Sequence, residues 1–200
     1  AGYPIWRPSD GAQREIVSFL DQEAAKIDAL IAKQDALVGV LRERRESAVM
    51  AAVTGAIVPG PKRDSGVRWI GEVPADWQVG NIRRFAEMHS GHTPSRQVPE
   101  NWEDCTVPWF TLADVWQLRD DTRTHLGETS EQISDLGLRN SSAELLPAGT
   151  VALSRTASVG FSGIMPRPMA TSQDFWNWVC GPDLLPEFLL RVFRAMRREM

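Results

Sequence analysis

Apolar residues recur at spacings of three and four through the first quarter of the chain: Ile16, Leu20, Ile27, Leu30, Ile31, Leu37, Val38 and Leu41. That period lines them along one face of a helix. Leu20, Ile27, Gln34, Leu41 and Ala48 form a seven-residue row, with Leu30 and Leu37 on the row three residues further on. Glu15, Lys26, Asp28, Lys33, Asp35, Arg42, Glu43 and Glu46 occupy the other face. No proline interrupts Ala12 to Ile57, so the pattern predicts one helix of roughly 65–70 Å at 1.5 Å per residue. Asp10, with Gln13 three residues on, has the spacing of a capping box. Gly55 is placed to end the helix in the left-handed conformation.

A stripe of this length is too long for one small domain to cover, so it predicts a second helix alongside, as in a coiled coil. Leu20, Ile27, Leu30, Ile31, Gln34, Leu37 and Leu41 are the predicted packing residues. Gln34 either sets the register of that pairing or sits where packing is loose. Gly39 marks a close helix crossing or is simply tolerated.

The pattern changes after residue 58. Val58-Pro59-Gly60-Pro61-Lys62-Arg63-Asp64-Ser65-Gly66 breaks regular structure and reads as a linker. Beyond it, prolines and glycines punctuate short strand-like runs at Trp77–Ile82, Thr106–Leu112, Thr150–Ser154, Ser158–Ile164 and Phe175–Val179, with short helices expected at Ser130–Leu136 and Pro186–Arg198. The expected architecture is α+β: a long coiled-coil-forming helix over 1–58, a linker over 59–66, and a mixed α/β domain of short strands and long loops over 67–200.

Composition sharpens this in three places. The chain holds eight tryptophans against one tyrosine, and all but Trp6 lie after residue 68, so the second region has an indole-rich core or contact face. The net charge of −4 argues against a simple polycationic nucleic-acid binder, though not against basic residues gathered on one face. Cys105 and Cys180 are far apart and form no CxxC, which reads as two buried free thiols in a reducing compartment. With Pro4 and Pro8 near the start and no apolar run approaching about 18 residues, the expectation is a soluble cytoplasmic protein with no secretory signal and no membrane span. Asn140-Ser141-Ser142 is then a chance sequon.

The chain resembles the specificity subunit of a type I restriction–modification system. In the helix the resemblance rests on Gln13-Arg14-Glu15-Ile16-Val17, Phe19-Leu20-Asp21, Lys26 to Ile31, Leu41-Arg42-Glu43-Arg44-Arg45 and Ala52-Val53-Thr54-Gly55. It continues through Gly66 to Pro74 with Trp77, Ser90-Gly91-His92-Thr93-Pro94-Ser95, Leu153-Ser154-Arg155 with Gly160, and Ser172-Gln173-Asp174-Phe175. The order and spacing of these pieces carry it rather than any one of them.

The resemblance implies a spacer helix that separates two target recognition domains and docks methyltransferase subunits. It implies that the following domain reads half of a bipartite double-stranded DNA target, and that a restriction subunit joins for cleavage. A full family member has two spacers and two recognition domains. One of each is present here, so the expectation is a partial or half-size form, truncated at its C-terminal end, whose helix has a second copy of itself as one available partner.

Candidate DNA contacts follow. The loop Ser90 to Arg96 is polar and small, so Thr93, Ser95 and Arg96 suit phosphate or base contact; the alternative is an ordinary turn. Arg155, with Thr156 and Ser158, follows a strand-like run and reads either as a guanine contact or as a structural salt bridge to Asp174. Gln173 suits adenine or caps a strand. Lys62 and Arg63 suit phosphate contact or lie solvated in the linker. Arg191, Arg194, Arg197 and Arg198 form a basic face that reads as solvated in preference to phosphate-binding.

His89, His92 and His125 with Cys105 and Cys180 fit no zinc spacing, and no phosphate-binding loop, dinucleotide fingerprint, nucleophile elbow or HExxH is present. No catalytic residue, metal or cofactor is expected. The competing reading is a coiled-coil protein-interaction adaptor that does not read DNA.

Overall fold

The computed structural model describes residues 2–199, with Arg198 described in its backbone only. The chain divides into two units, Ala1–Ala48 and Val49–Met200. The first is dominated by α1, which runs from Asp10 to Val53 as one 44-residue helix with no buried residue. Its apolar stripe is open: Leu20, Ile27, Leu30, Ile31, Leu37 and Leu41 are all 51–60% exposed. The N-terminal cap differs from the expected box. Ser9 accepts from the amide of Ala12 at 3.4 Å, and the Gln13 side chain donates back to the carbonyl of Pro8 at 2.8 Å. A serine one residue earlier reaches the orphan amides, and Asp10 becomes the first helical residue, where its charge suits the helix dipole.

At the other end the expected glycine stop is present. Gly55 has φ +72°, its amide donates to Ala52 and the Ala56 amide reaches Ala51, the pair of bonds that defines a Schellman end.

In the second unit, β1 (Lys62–Asp64) pairs with β2 (Glu72–Pro74) as an antiparallel hairpin. The segment read as linker therefore contributes a strand. Seven further strands follow: β3 (Ala86–Ser90), β4 (Val107–Phe110), β5 (Glu131–Ile133), β6 (Val151–Ser154), β7 (Ser162–Ile164), β8 (Ala170–Thr171) and β9 (Phe175–Cys180). They form an antiparallel sheet in the order β3-β9-β6-β7 and a three-stranded sheet in the order β5-β4-β8, in which β4 runs parallel to β8. Two helices complete the unit: α2 (Asp135–Arg139) and α3 (Pro186–Ala195). This is the α+β architecture the sequence predicts.

Strand alternation assigns the four-stranded sheet two apolar faces. Val151 and Leu153 of β6 join Trp178 of β9 and Leu189, Leu190 and Phe193 of α3 in one cluster. Ala152 and Phe175 face the other way, against Phe110, Val115, Leu118, Met165 and Met169. There Phe110 and Phe175 meet edge to face, with centroids 5.3 Å apart, a favoured aromatic geometry. A third cluster holds Val107, Trp109 and Ile133 of the smaller sheet. Each fully buried aliphatic or Phe side chain contributes about 1.5–3 kcal/mol of burial.

Several elements fall elsewhere than predicted. Trp77–Ile82 is not a strand. Asn81 accepts from the amide of Arg83 at 3.0 Å and starts a 3-10 turn, Ile82–Arg84, a side-chain alternative to sheet pairing. The strand follows it, as β3. Ser130–Leu136 is not one helix: Glu131–Ile133 pairs with β4, and Ser134, accepting from the Gly137 amide at 2.9 Å, starts α2. The run Ser158–Ile164 enters the sheet only at Ser162, because Gly160 turns the chain at φ +85°. The tryptophans divide: Trp109 and Trp178 are buried, whereas Trp116 and Trp176 are exposed.

Candidate nucleic-acid interface

Four of the predicted contact residues meet where β6, β8 and β9 end. Arg155 lies one residue beyond β6, and its amide donates to the carbonyl of Asp174 at 2.9 Å, extending the β6–β9 pairing by one step. Its Nε donates to the carbonyl of Gln173 at 2.8 Å. Gln173 in turn accepts through Oε1 from the hydroxyl of Thr93 at 2.6 Å, 80 residues away in sequence. Thr156 donates to one carboxylate oxygen of Asp174 at 2.7 Å, and Ser172 to the other at 2.9 Å. Asp174 is therefore held by two hydroxyls, and the salt bridge to Arg155 offered as an alternative does not form. The Arg155 guanidinium instead lies 5.7 Å from the ring centroid of exposed Trp176, within cation–π range.

The Thr93 loop reaches this cluster through a close backbone approach. Gly91 packs so tightly on Thr171 and Ser172 that an added Cβ would lie 2.2 Å from the Ser172 carbonyl and 2.2 Å from the Thr171 hydroxyl. His92 then donates its amide to Thr171, and Ser172 donates its own to Phe110. Below them, buried Asn177 donates to the Thr171 hydroxyl at 2.8 Å. A glycine is needed at 91 because backbone must lie against backbone.

Ser95 and Arg96 are committed differently. The Ser95 carbonyl accepts from Asn101 at 3.2 Å and from the Trp102 indole at 3.1 Å, and its hydroxyl accepts from the amide of Gln97. Arg96 lies 3.7 Å over the Trp102 ring and pairs with the carboxylate of Glu131. Ser158 sits at φ +60° in the turn after Arg155, where Ser154 donates to the carbonyl of Ala157 at 2.9 Å.

Lys62 and Arg63 do not join the group. The Lys62 ammonium donates to the carbonyls of Gly55 and Val58, neutralising the end of α1. Arg63 donates to the carbonyls of Ala75 and Trp77. The C-terminal arginines are no solvated face either. Arg197 grips Asp121 with both terminal nitrogens, and Arg194, its side chain 5% exposed, donates to the carbonyls of Asp121, Arg123 and Ser162. Arg191 is exposed, and the Arg198 side chain lies outside the described residues.

Sequence reading missed the Asp174 anchor between Thr156 and Ser172. Its signal was present in Ser172-Gln173-Asp174, a serine two residues from an aspartate, which is a turn-forming spacing. The histidines do not converge. His89 Nδ1 lies 2.7 Å from the carboxylate of Glu144, and among the described residues no three His, Cys, Asp or Glu side chains are grouped to hold a metal. No helix among them is long and apolar enough to cross a membrane.

Residues 74–200 match the family model of the type I restriction modification DNA specificity domain. This chain belongs to that family. The match spans both Gly91 and the whole Thr93–Gln173–Arg155 cluster. Among the relatives of this specificity-domain chain is the type I restriction enzyme MjaIX specificity subunit of Methanocaldococcus jannaschii, 29% identical over 63% of this chain and 28% of the relative. Another is the EcoprrI specificity subunit of Escherichia coli, 27% identical over 47% of this chain and 22% of the relative.

Two solved structures share the fold. The HsdS subunit from Thermoanaerobacter tengcongensis matches at TM-score 0.51 and 19% identity, over 88% of this chain and 40% of its own. A chain from a structure addressing complex assembly and conformational transition of the type I R-M system matches at TM-score 0.54 and 21% identity, over 96% of this chain and 43% of its own. The specificity-family chain thus spans less than half the length of these relatives. The MjaIX and EcoprrI relatives are both named specificity subunits.

Proposed function

We propose that this chain recognises one half of a bipartite double-stranded DNA target for a type I restriction–modification complex. Residues 67–200 act as the target recognition domain, 1–58 as the spacer helix and 59–66 as the join. The loops carrying Thr93 and Ser95, and Arg155, Thr156 and Ser158, with Gln173 between them, face the DNA, while Arg96 supports the first of them from Trp102 and Glu131. The observation that carries this reading is the family match over 74–200 together with the convergence of Thr93, Gln173, Arg155 and Thr156 on one exposed set of strand ends.

The open stripe of α1 supports its role as a docking rod. Leu20, Ile27, Leu30, Ile31, Leu37 and Leu41 offer a partner helix a continuous apolar row with Gln34 within it. Methyltransferase subunits, and through them a restriction subunit, assemble around it in the cytoplasm, and a second spacer, from another copy or another chain, runs alongside. Methyl transfer and cleavage belong to those partners.

The net charge of −4 means that phosphate attraction from this chain is weak, so affinity rises on assembly. The test is DNA binding and methylation by this chain with and without its methyltransferase subunits. Sequence-selective binding by the assembly, steeply weakened by salt, is expected. An assembled complex that selects no DNA would leave the protein-interaction adaptor as the reading. Tight, salt-insensitive, selective binding by the chain alone would contradict the assembly requirement.

A further inference from the structure

Five basic side chains lie among or beside the candidate contacts, and their surroundings separate them. Lys62 and Arg63 are spent on main-chain carbonyls. Arg96 stacks on the Trp102 ring and pairs through one terminal nitrogen with the Glu131 carboxylate, so one face and part of its charge are engaged while its side chain stays 56% exposed. Arg197 is bidentate to Asp121. Arg155 differs. Only its Nε is engaged, by the Gln173 carbonyl at 2.8 Å, and its two terminal nitrogens meet no acceptor among the described residues. The guanidinium is held by that one bond and lies within cation–π range of the Trp176 ring, 5.7 Å from its centroid, which narrows its freedom before any ligand arrives.

The neighbour is polarised in the same sense. With Gln173 Oε1 taking the Thr93 hydroxyl, the Nε2 amide remains as a donor with no partner among the described residues. The neighbouring carboxylate of Asp174 accepts one hydroxyl on each oxygen, from Thr156 and from Ser172. The cluster therefore presents oriented N–H donors outward. In the major groove only guanine shows two adjacent acceptors, N7 and O6, with no donor beside them, whereas adenine and cytosine each place an amino group there.

Resting on the DNA-recognition reading above, we infer that Arg155 is the specificity-determining residue of this domain and reads a guanine through N7 and O6, with Gln173 holding it, while Arg96 cements the fold and reads nothing. Asp174 is a positioning residue: by tying Thr156 to Ser172 it keeps the Arg155 and Gln173 loops in one register.

The experiment uses the full chain assembled with its methyltransferase subunits. The methylated sequence is mapped on a random DNA library, then re-mapped for Arg155→Ala, Arg155→Lys, Asp174→Asn and Arg96→Ala. Loss of one bidentate contact corresponds to roughly 5- to 150-fold of discrimination. Arg155→Ala is expected to flatten preference by that factor at a single G·C pair and to leave the other positions sharp. Lysine should recover part of it. Asp174→Asn should broaden the same position without moving the others. Replacing that guanine with 7-deazaguanine should weaken the wild-type complex and leave the Arg155→Ala complex unaffected, a readout that does not depend on how the variant folds. Arg96→Ala should lower the melting temperature with the mapped sequence unchanged.

Uniform weakening on all sequences by Arg155→Ala would make it a phosphate contact and overturn the inference. So would a selective relaxation by Arg96→Ala, or indifference to 7-deazaguanine at every guanine of the target. These outcomes leave the recognition reading standing. A wild-type assembly with no preferred sequence would remove both.

Discussion

Arg197 holds the carboxylate of Asp121 at 2.6 and 3.0 Å across 76 residues of sequence. The pair ties the turn after α3 to the loop that follows the Leu112–Leu118 3-10 segment, and Arg194 approaches the same carboxylate at 3.4 Å. Asp121 sits at φ +57°, so the loop is held in a left-handed turn by charge. Removing the acid would leave two arginines facing each other. Asp121→Ala is expected to lower stability by about 1–3 kcal/mol, less than for a fully buried pair because Asp121 and Arg197 are each about a quarter exposed. A urea midpoint unchanged from wild type would show the clamp to be dispensable.

Gly91→Ala tests the close approach on which the Thr93 loop depends. The new methyl would meet main-chain oxygens of Thr171 and Ser172 at 2.3 and 2.2 Å, and neither can swing aside as a side-chain tip would. The expected loss is about 2–4 kcal/mol, read by thermal melting. Faster amide exchange at His92 and Ser172 should accompany it. A variant that melts like the wild type would mean that the two segments separate without penalty.

The thiol of Cys180 is pushed above the ordinary cysteine range by burial, and secondarily by the charge of Glu187. The folded chain thus binds the thiol proton more tightly than the unfolded chain. The stabilisation is complete below the ordinary thiol value and is lost as pH rises through the folded one. Cys180→Ala should therefore flatten the alkaline limb of the stability profile and leave neutral pH little changed. Alkylation of Cys180 at neutral pH should be slower than that of a free thiol. Rapid labelling at pH 7 in the folded protein would contradict the assignment.

Charge placed on the stripe of α1 tests the docking rod. Leu30→Glu and Leu37→Glu put carboxylates at positions 60% and 58% exposed, so neither should alter the melting of the domain after residue 49. Association with methyltransferase subunits, or with a second copy, should fall at least tenfold for the pair, followed by sedimentation velocity. Undiminished assembly would show that another surface does the docking.

Much of this was legible because its causes are local. The stripe of α1 is a simple period of three and four, and Gly55 announces its end, so the helix and its two ends were readable to within a few residues. Strands β6 and β9 were readable as apolar runs bounded by glycine or polar turns. What was hidden depends on distant partners. Glu131–Ile133 carries no strand pattern of its own and becomes a strand only because β4 lies beside it. Arg96 and Arg155 look alike in sequence, each a cation in a polar loop. Only Trp102 and Glu131, brought up by folding, separate the occupied one from the presented one. Lys62 was read as a loop cation, yet the geometry of a helix end made it a cap.

The placement of Arg155 one residue beyond β6, and of Gln173 two residues before β9, has an evolutionary consequence. Ala152 and Phe175, within the strands, are fully buried and constrained by packing. Arg155 and Gln173, at the strand tips, are exposed. Letters at the tips can be rewritten by single codon changes while the scaffold is inherited intact. On the proposed reading, a lineage carrying this domain can change what it selects without first having to relearn how to fold.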